Sequence, residues 1–536
     1  MNERGKSDPA VVAGKPANKA EPSAAEPAER RAGTKGNADQ QHMGRTQSRE
    51  TMSQMLARIR QTVPANIAKA FATEPAERGA ENANQQHAGR PQGREPTSQA
   101  LARIQQTARQ RKKERFTALY HHINLELLRS SFFAIKREAA PGVDGMTWQG
   151  YAANLDSNLK DLHARVQRGA YRALPSRRQY IPKPDGRQRP LAVAALEDKI
   201  VQRATATLLN AIYEEDFLGF SYGFRPGRGT HDAMDALVVG IESRKVNWIL
   251  DADIRAFFDT ISEEWLIRFL EHRTGDPRII RLIQKWLKAG ILEDGAVTVS
   301  EVGTAQGSVI SPLLANIYLF YVLDLYADRW RRREATGDVI IVRYADDFIV
   351  GFEHETDARR FLDLLRERMG KFALALHPEK TRLIEFGRHA AENRRRRGLG
   401  KPETFNFLGF TFICGTSRRG RFLVKRKSRR DRRQAKLQAI KQELRQRINQ
   451  PIREQGRWLK QVVGGYFRYH AVPTNSHALK QFRDGVATLW RQLLRRRSQK
   501  ADRPWTWFAM LVDYWLPRPK ILHPWPRQRF AVTHPR

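Results

Sequence analysis

Val339-Ile340-Ile341-Val342-Arg343-Tyr344-Ala345-Asp346-Asp347-Phe348-Ile349-Val350 sets two adjacent carboxylates between two apolar runs. β-Branched and aromatic residues on both sides favour strands, so the stretch predicts a hairpin with Asp346 and Asp347 at its turn. A charged pair held between buried strands must be paired, solvated or bound to a cation, because an uncompensated carboxylate is costly to desolvate. An Asp-containing turn with no further role has the same local signature. The two readings separate on whether other carboxylates reach the same place.

A second strand supplies one. In Trp248-Ile249-Leu250-Asp251-Ala252-Asp253-Ile254, period-two alternation puts Asp251 and Asp253 on one face and Trp248, Leu250 and Ile254 on the other. Ser262 followed by Glu263 and Glu264 offers an N-cap and an acidic first turn, so a helix packs back against the sheet. With Asp346 and Asp347 on an adjacent strand, three carboxylates share one edge. They repel one another unless divalent cations lie between them, and Mg²⁺ suits all-oxygen ligands. Two such ions about 3.5–4 Å apart serve phosphoryl transfer, activating a 3′-hydroxyl and stabilising a leaving pyrophosphate.

Composition points to the partner. The 536 residues hold 95 Lys and Arg against 57 Asp and Glu, a formal charge of +38, alongside a full apolar complement. A polyanion, nucleic acid above all, answers such a surplus; a solubility device or a membrane-surface patch is the alternative. The single cysteine, Cys414, excludes an internal disulfide and a Cys-rich zinc module and fits a reducing compartment. No apolar run is long enough for a membrane span or a signal h-region, which predicts no membrane partner and a cytosolic protein, in a bacterium the cytosol or nucleoid.

Along the chain, residues 1–113 are rich in Ala, Gln, Arg, Glu and Gly and predict a largely disordered extension. It is partly duplicated: Glu26-Pro27-Ala28-Glu29-Arg30 recurs at Glu74-Pro75-Ala76-Glu77-Arg78, and Leu56-Ala57-Arg58-Ile59 at Leu101-Ala102-Arg103-Ile104. Each copy ends in a short helix-prone segment, and globular patterning begins near Phe116. Helices then interleave with an antiparallel hairpin, which predicts an α+β fold with helices on one face of the sheet. After Gly420 come basic helical segments, with Lys425, Arg426, Lys427, Arg429, Arg430, Arg432 and Arg433 ahead of amphipathic stretches around 437–448 and 479–494. Arg394–Arg397 reads as a loop. The Trp/Pro-containing tail, 501–536, holds Leu516-Pro517-Arg518-Pro519, which predicts extended chain, and its Trp and Arg residues suit a contact with target DNA.

Many short motifs run in a particular order: Ala140-Pro141-Gly142-Val143-Asp144-Gly145, Ile181-Pro182-Lys183, Arg189-Pro190-Leu191, Tyr222-Gly223-Phe224-Arg225-Pro226-Gly227-Arg228 and Asp253-Ile254-Arg255-Ala256-Phe257-Phe258-Asp259. Gln306-Gly307-Ser308-Val309-Ile310-Ser311-Pro312-Leu313-Leu314-Ala315-Asn316, Tyr344-Ala345-Asp346-Asp347 and Phe407-Leu408-Gly409-Phe410 complete the series. From about residue 114 to the C-terminus the chain resembles group II intron-encoded reverse transcriptases, the intron maturases. The resemblance implies a right-hand polymerase: fingers at 114–235, a palm with an antiparallel sheet at 236–420 and a helical thumb or maturase domain at 421–500.

It further implies an RNA-directed DNA polymerase, a nucleotidyltransferase with Asp253, Asp346 and Asp347 as catalytic carboxylates. Two Mg²⁺ ions, or Mn²⁺ in their place, would be held by these and the Ile254 carbonyl; Asp251 is then structural. Phe258 matches the position beneath the incoming sugar, against the alternative of a core phenylalanine. Lys183 and Arg189 match residues that grip the triphosphate, Gln306 one beside the nascent base pair, and Lys380 one that protonates pyrophosphate; surface solvation is the alternative for the basic residues. The family commonly has Pro and a smaller residue where this chain has Ala305 and Ser308. Ser311 reads as an N-cap, with Pro312 at the first helical position. Arg426, Lys427, Arg429, Arg430 and Arg468 are the implied RNA contacts, Arg468 within the aromatic–basic stretch 464–470, for which bundle packing is the alternative. The implied partners are a structured intron RNA, dNTPs and nicked target DNA as primer, with splicing assistance and target-primed reverse transcription as roles. Two other readings remain: a domesticated reverse transcriptase in defence or repair, and an RNA-binding splicing factor without polymerase activity. No paired-cysteine endonuclease segment follows, which predicts no second-strand cleavage by this chain.

Overall fold

The computed structural model describes residues 97–182, 188–293, 296–298, 307–497 and 504–533, all within one compact unit, Gln92–Arg536. Lys183, Gln306 and the duplicated extension before residue 97 lie outside the described residues. Order begins earlier than the composition predicts. Helix α1 (Thr97–Gln110) buries Ile104 and Ala108 in the main core, so the second helix-prone repeat is part of the folded unit.

Short helices follow, α2 (Leu125–Phe133), α3 (Trp148–Ala153) and α4 (Leu155–Gln167). The Asn124 side chain caps α2 by accepting from the Leu127 amide at 2.9 Å, and Thr147 caps α3 through the Gly150 amide. Strands β1 (Ser176–Pro182) and β2 (Gln188–Val193) form a hairpin, extended beyond β1 by β4 (Ile291–Glu293) and β5 (Ala296–Thr298) into a sheet of order β2-β1-β4-β5. Helix α5 (Leu196–Tyr213) is buried along most of its length and packs against α1 and α2.

The central sheet has order β6-β7-β3-β8 and is antiparallel throughout, from β3 (Trp248–Ala252), β6 (Val339–Tyr344), β7 (Asp347–Phe352) and β8 (Arg382–Glu385). Both of its faces are covered. Leu250, Ala252, Ile341, Phe348, Val350 and Phe352 join the main core, while Ile249, Val342, Ile349 and Ile384 join a second. Helices α8 (Glu263–Glu271), α9 (Pro277–Leu287), α10 (Ser311–Leu319), α11 (Leu325–Arg333) and α12 (Glu355–Lys371) contribute to the first core, the one-turn α7 (Phe257–Thr260) leading into them.

The second core is closed by α6 (Thr230–Ser243) and a three-stranded sheet, β11-β10-β9, of β9 (Phe405–Phe407), β10 (Phe410–Thr416) and β11 (Phe422–Ser428). The expectation of helices on one face is therefore corrected. The reason lies in the sequence alternation itself: apolar residues occupy both parities of β6 and β7, so neither face tolerates water.

Three local expectations are also corrected. The basic run after Gly420 starts as strand β11, paired residue for residue with β10 from Phe410↔Ser428 to Thr416↔Phe422. Arg394–Arg396 ends a short helix, α13 (Ala390–Arg396), whose arginines pair with Glu403 and Glu392. Ser311 is the first residue of α10, with Ile310 before it, so Ser311 is inside the helix and not its cap. Ser262 does cap α8, accepting from the Trp265 amide.

A helical bundle of α14 (Arg430–Gln446), α15 (Ile452–His470), α16 (Ser476–Arg496) and α17 (Trp505–Trp515) has its own core, centred on Leu459, Val463, Phe482, Val486 and Trp490. Tyr466 stacks on Phe482 at 3.7 Å between ring centroids, so bundle packing accounts for it. Residues 517–520 carry no helix, as their prolines require, and a last helix, α18 (Pro526–Thr533), packs on α6. Among the described residues no helix is long and apolar enough to cross a membrane.

Candidate active site at the end of the central sheet

The β6–β7 hairpin closes with Tyr344 opposite Asp347, which leaves Ala345 and Asp346 as a two-residue loop. Ala345 has φ +58°, the left-handed position that such a tight turn usually gives to glycine. The next strand fixes the third carboxylate. The β3–β7 register ends at Ala252↔Phe348, and one step further puts Asp253 across from Asp347. Asp253 is also held from behind, because its carbonyl accepts from the His377 amide at 2.8 Å and Ile254 bridges Leu376. The structure thus brings Asp253, Asp346 and Asp347 to one end of the sheet.

Beneath the turn lies a device that sequence reading missed. Arg343, fully buried, donates to both Asp324 oxygens at 2.7 and 2.5 Å, to Asn316 Oδ1 at 3.0 Å, to Ser221 Oγ at 2.7 Å and to the Ala345 carbonyl at 3.0 Å. One guanidinium fork therefore braces the strained loop residue itself. Asp324 reaches it from a five-residue π-turn, Phe320–Asp324, that links α10 to α11. A charged residue inside an otherwise apolar strand was the signal available in the sequence; its partners, on other elements, were not.

Charge crowds the site. Crowding by protein at the sheet end, then the neighbouring Asp346, Asp253 and Asp251 charges, push the Asp347 carboxyl up to about 7, with Arg432 opposing. Asp347 keeps an exposed face, so the repulsion among carboxylates is the weightier reason. Burial pushes Asp251 up to about 6 against the pull of Arg382, whose guanidinium lies 3.5 Å away.

Among the described residues no three His, Cys, Asp or Glu side chains are gathered tightly enough to form a ready-made cation site. Instead the Lys380 ammonium sits 2.6 Å from Asp253 Oδ2, a cation already drawn to one of the three acids. The donor set nonetheless fits a hard divalent ion in kind: all oxygen, on paired strands, with mutual repulsion that positive charge relieves.

The remaining site residues divide. Phe258 is half-buried on α7, edge-on to Phe257 at 5.4 Å, just beyond Asp253. Arg189 lies in β2 with its backbone paired to Ile181. Lys427, Arg430 and Arg468 are exposed, and Arg429 is partly engaged with Asp431 at 2.5 Å. Arg426 is different. It is 2% exposed and its guanidinium lies 2.6 Å from buried Asp235, so its assignment to RNA is corrected: the inward parity of β11 turns it into the second core.

Comparison with known proteins agrees with this geometry. Residues 181–412 match the family model for reverse transcriptase (RNA-dependent DNA polymerase). Protein YkfC of Escherichia coli (strain K12) is 34% identical over 317 residues, 53% of this chain and 78% of that protein. Group II intron-encoded protein LtrA of Lactococcus lactis subsp. cremoris is 34% identical over 215 residues, 38% of this chain and 34% of its own length. Nuclear intron maturase 3, mitochondrial, of Arabidopsis thaliana is 28% identical over 37% of this chain and 31% of that protein. The chain thus spans most of YkfC but only about a third of these two intron proteins. The reverse transcriptase match contains the whole central sheet and all three carboxylates, and this chain belongs to the reverse transcriptases of the group II intron-encoded, maturase type.

Proposed function

We propose that the protein copies RNA into DNA as a right-hand polymerase and also serves a structured intron RNA as its maturase. In this reading the β2-β1-β4-β5 sheet and the helices around it are the fingers, the central sheet is the palm and the bundle from Arg430 is the thumb. The single observation that carries it is the convergence of Asp253, Asp346 and Asp347 at the end of one antiparallel sheet.

Asp253, Asp346, Asp347 and the Ile254 carbonyl would hold two Mg²⁺ ions. Bound there, the metal supplies activation of a primer 3′-hydroxyl and charge relief for the departing pyrophosphate. The protein's own part is to position and to exclude. Arg343 holds the turn so that Asp346 and Asp347 need no reorganisation when substrate arrives. The Phe258 ring would meet a sugar 2′-hydroxyl and so exclude ribonucleotides. Lys183, Arg189 and Gln306 bind the incoming dNTP. Lys380, released from Asp253, carries a proton within reach of a leaving group. Lys427, Arg429, Arg430 and Arg468 contact RNA phosphates, and the 3′ end of nicked DNA serves as primer.

Primer extension on an RNA template tests the assignment. Asp346→Asn is expected to abolish dNTP incorporation while leaving RNA binding and intron splicing intact. Full extension by that variant overturns the carboxylate assignment, and equal loss of splicing in the folded variant overturns a separable maturase role.

A further inference from the structure

Phe224 stands out in the same corner of the molecule. It is 53% exposed although Ser221, Tyr222, Gly223 and Arg225 around it are all buried. Its φ is +59°, a left-handed conformation that a bulky side chain adopts only at a cost. Neighbouring contacts hold it there. A Cβ on Gly223 would come within 2.2 Å of the Ala345 amide nitrogen, so the two backbones touch at the catalytic loop. The Gly223 carbonyl accepts from Asn316 Nδ2 at 2.7 Å, and Asn316 Oδ1 in turn accepts from Arg343. The Tyr222 amide donates to the Arg343 carbonyl at 2.9 Å. Two strained residues, Phe224 and Ala345, are thus locked back to back by one hydrogen-bonded frame. The exposed Phe224 ring lies 6.5 Å from the ring of Tyr344, tilted at 45°, and Tyr344 is the strand residue that leads into the Ala345–Asp346 loop.

Apolar burial does not explain an exposed, strained ring; a flat apolar ligand does. Resting on the polymerase reading, we propose that Phe224, with Tyr344 beside it, is the platform that receives the terminal nucleotide of the primer and so sets the 3′-hydroxyl against the carboxylates. Aromatic rings take nucleotides without regard to base, as a polymerase needs at a primer end.

The test pairs two readouts that a structural role would move together. Phe224→Gly removes the ring and also the left-handed strain, so its thermal midpoint is expected to hold or rise. Its KM for primer in single-dNTP extension is expected to rise about 10–100-fold, the loss of one stacked base, and Phe224→Trp to restore it. 2-Aminopurine at the primer 3′ end should be quenched on binding to the wild-type protein and not to Phe224→Gly. Wild-type kinetics and quenching in a folded Phe224→Gly protein overturn this inference alone. Quenching lost only from a 2-aminopurine in the template strand overturns it in favour of a template contact. Failure of the wild-type protein to extend any primer overturns the polymerase reading, and this inference with it.

Discussion

Phe258 shows how much a single residue depends on what precedes it. Ala256 has φ +45°, a left-handed residue that turns the chain out of the strand line of Asp253 and starts the one-turn helix α7. That turn leaves Phe257 buried and Phe258 half-buried against the edge of the main core, five residues after Asp253. Phe258→Ala is expected to admit ribonucleotides, lowering discrimination between dNTP and rNTP by about 10–100-fold, as removing a steric block to one hydroxyl does. Competition assays on one primer–template measure it, and unchanged discrimination would make the ring a packing residue. Arg426 teaches the reverse lesson: its place in a basic run and the resemblance pointed to RNA, but its strand parity pointed it at Asp235.

At the scale of elements, the π-turn Phe320–Asp324 supplies the carboxylate that pairs with Arg343 of the catalytic hairpin. An α-helix carried straight through from Ser311 would aim residue 324 differently; one wide turn brings Asp324 beneath β6 to meet Arg343. Burial raises the Asp324 carboxyl pKa and Arg343 opposes that rise, so each charge depends on the other. Arg343→Met strands a buried carboxylate and is expected to cost about 3–5 kcal/mol, read as a lower denaturation midpoint. Adding Asp324→Leu should return much of that stability while activity stays low, because the Ala345 carbonyl has lost its donor. A double variant with full polymerase activity would show that the brace serves folding only.

For the molecule as a whole, the C-terminal segment joins the bundle to the central unit. Leu522 and His523 amides donate to the Ala471 carbonyl, Arg529 lies 3.2 Å from Asp235, and the His523 ring stacks on His231 at 4.0 Å. Among the described residues neither ring nitrogen of His231 has a hydrogen-bond partner. Burial, followed by His523, Arg529, Arg426 and His470, pushes the His231 pKa down to about 3, and burial then Arg432 push His470 down to about 4. Both are held neutral in the fold below their unfolded values near 6.5. Their contribution is therefore complete above about pH 6.5 and lost as pH falls toward the folded values. Urea midpoints should drop between pH 7 and pH 5, and His231→Phe should flatten that slope; an unchanged slope would place the sensitivity elsewhere. The charge of +38 has its own signature. Lys427→Gln and Arg430→Gln should each reduce the salt slope of RNA binding by up to about 1, whereas Arg426→Gln should leave it unchanged and weaken the fold.

The amino-acid sequence by itself determined the strands and the acids on them. Period-two alternation and β-branched residues around 248–254 and 339–350 write a hairpin and a partner strand directly, and the net charge favours a polyanion as partner. Local propensity reaches no further than a few residues. It leaves Arg343 as one charged residue in an apolar strand and Phe224 as one member of a short motif. Only the tertiary structure decided what those two do, because the Arg343 frame is closed by Ser221, Asn316 and Asp324 from three other segments, and Phe224 reaches the catalytic loop through contacts 122 residues apart in the chain, as for Ser221 and Arg343. The same holds for helix α1, whose polar composition predicts disorder until α5 offers Ile104 and Ala108 a surface on which to be buried.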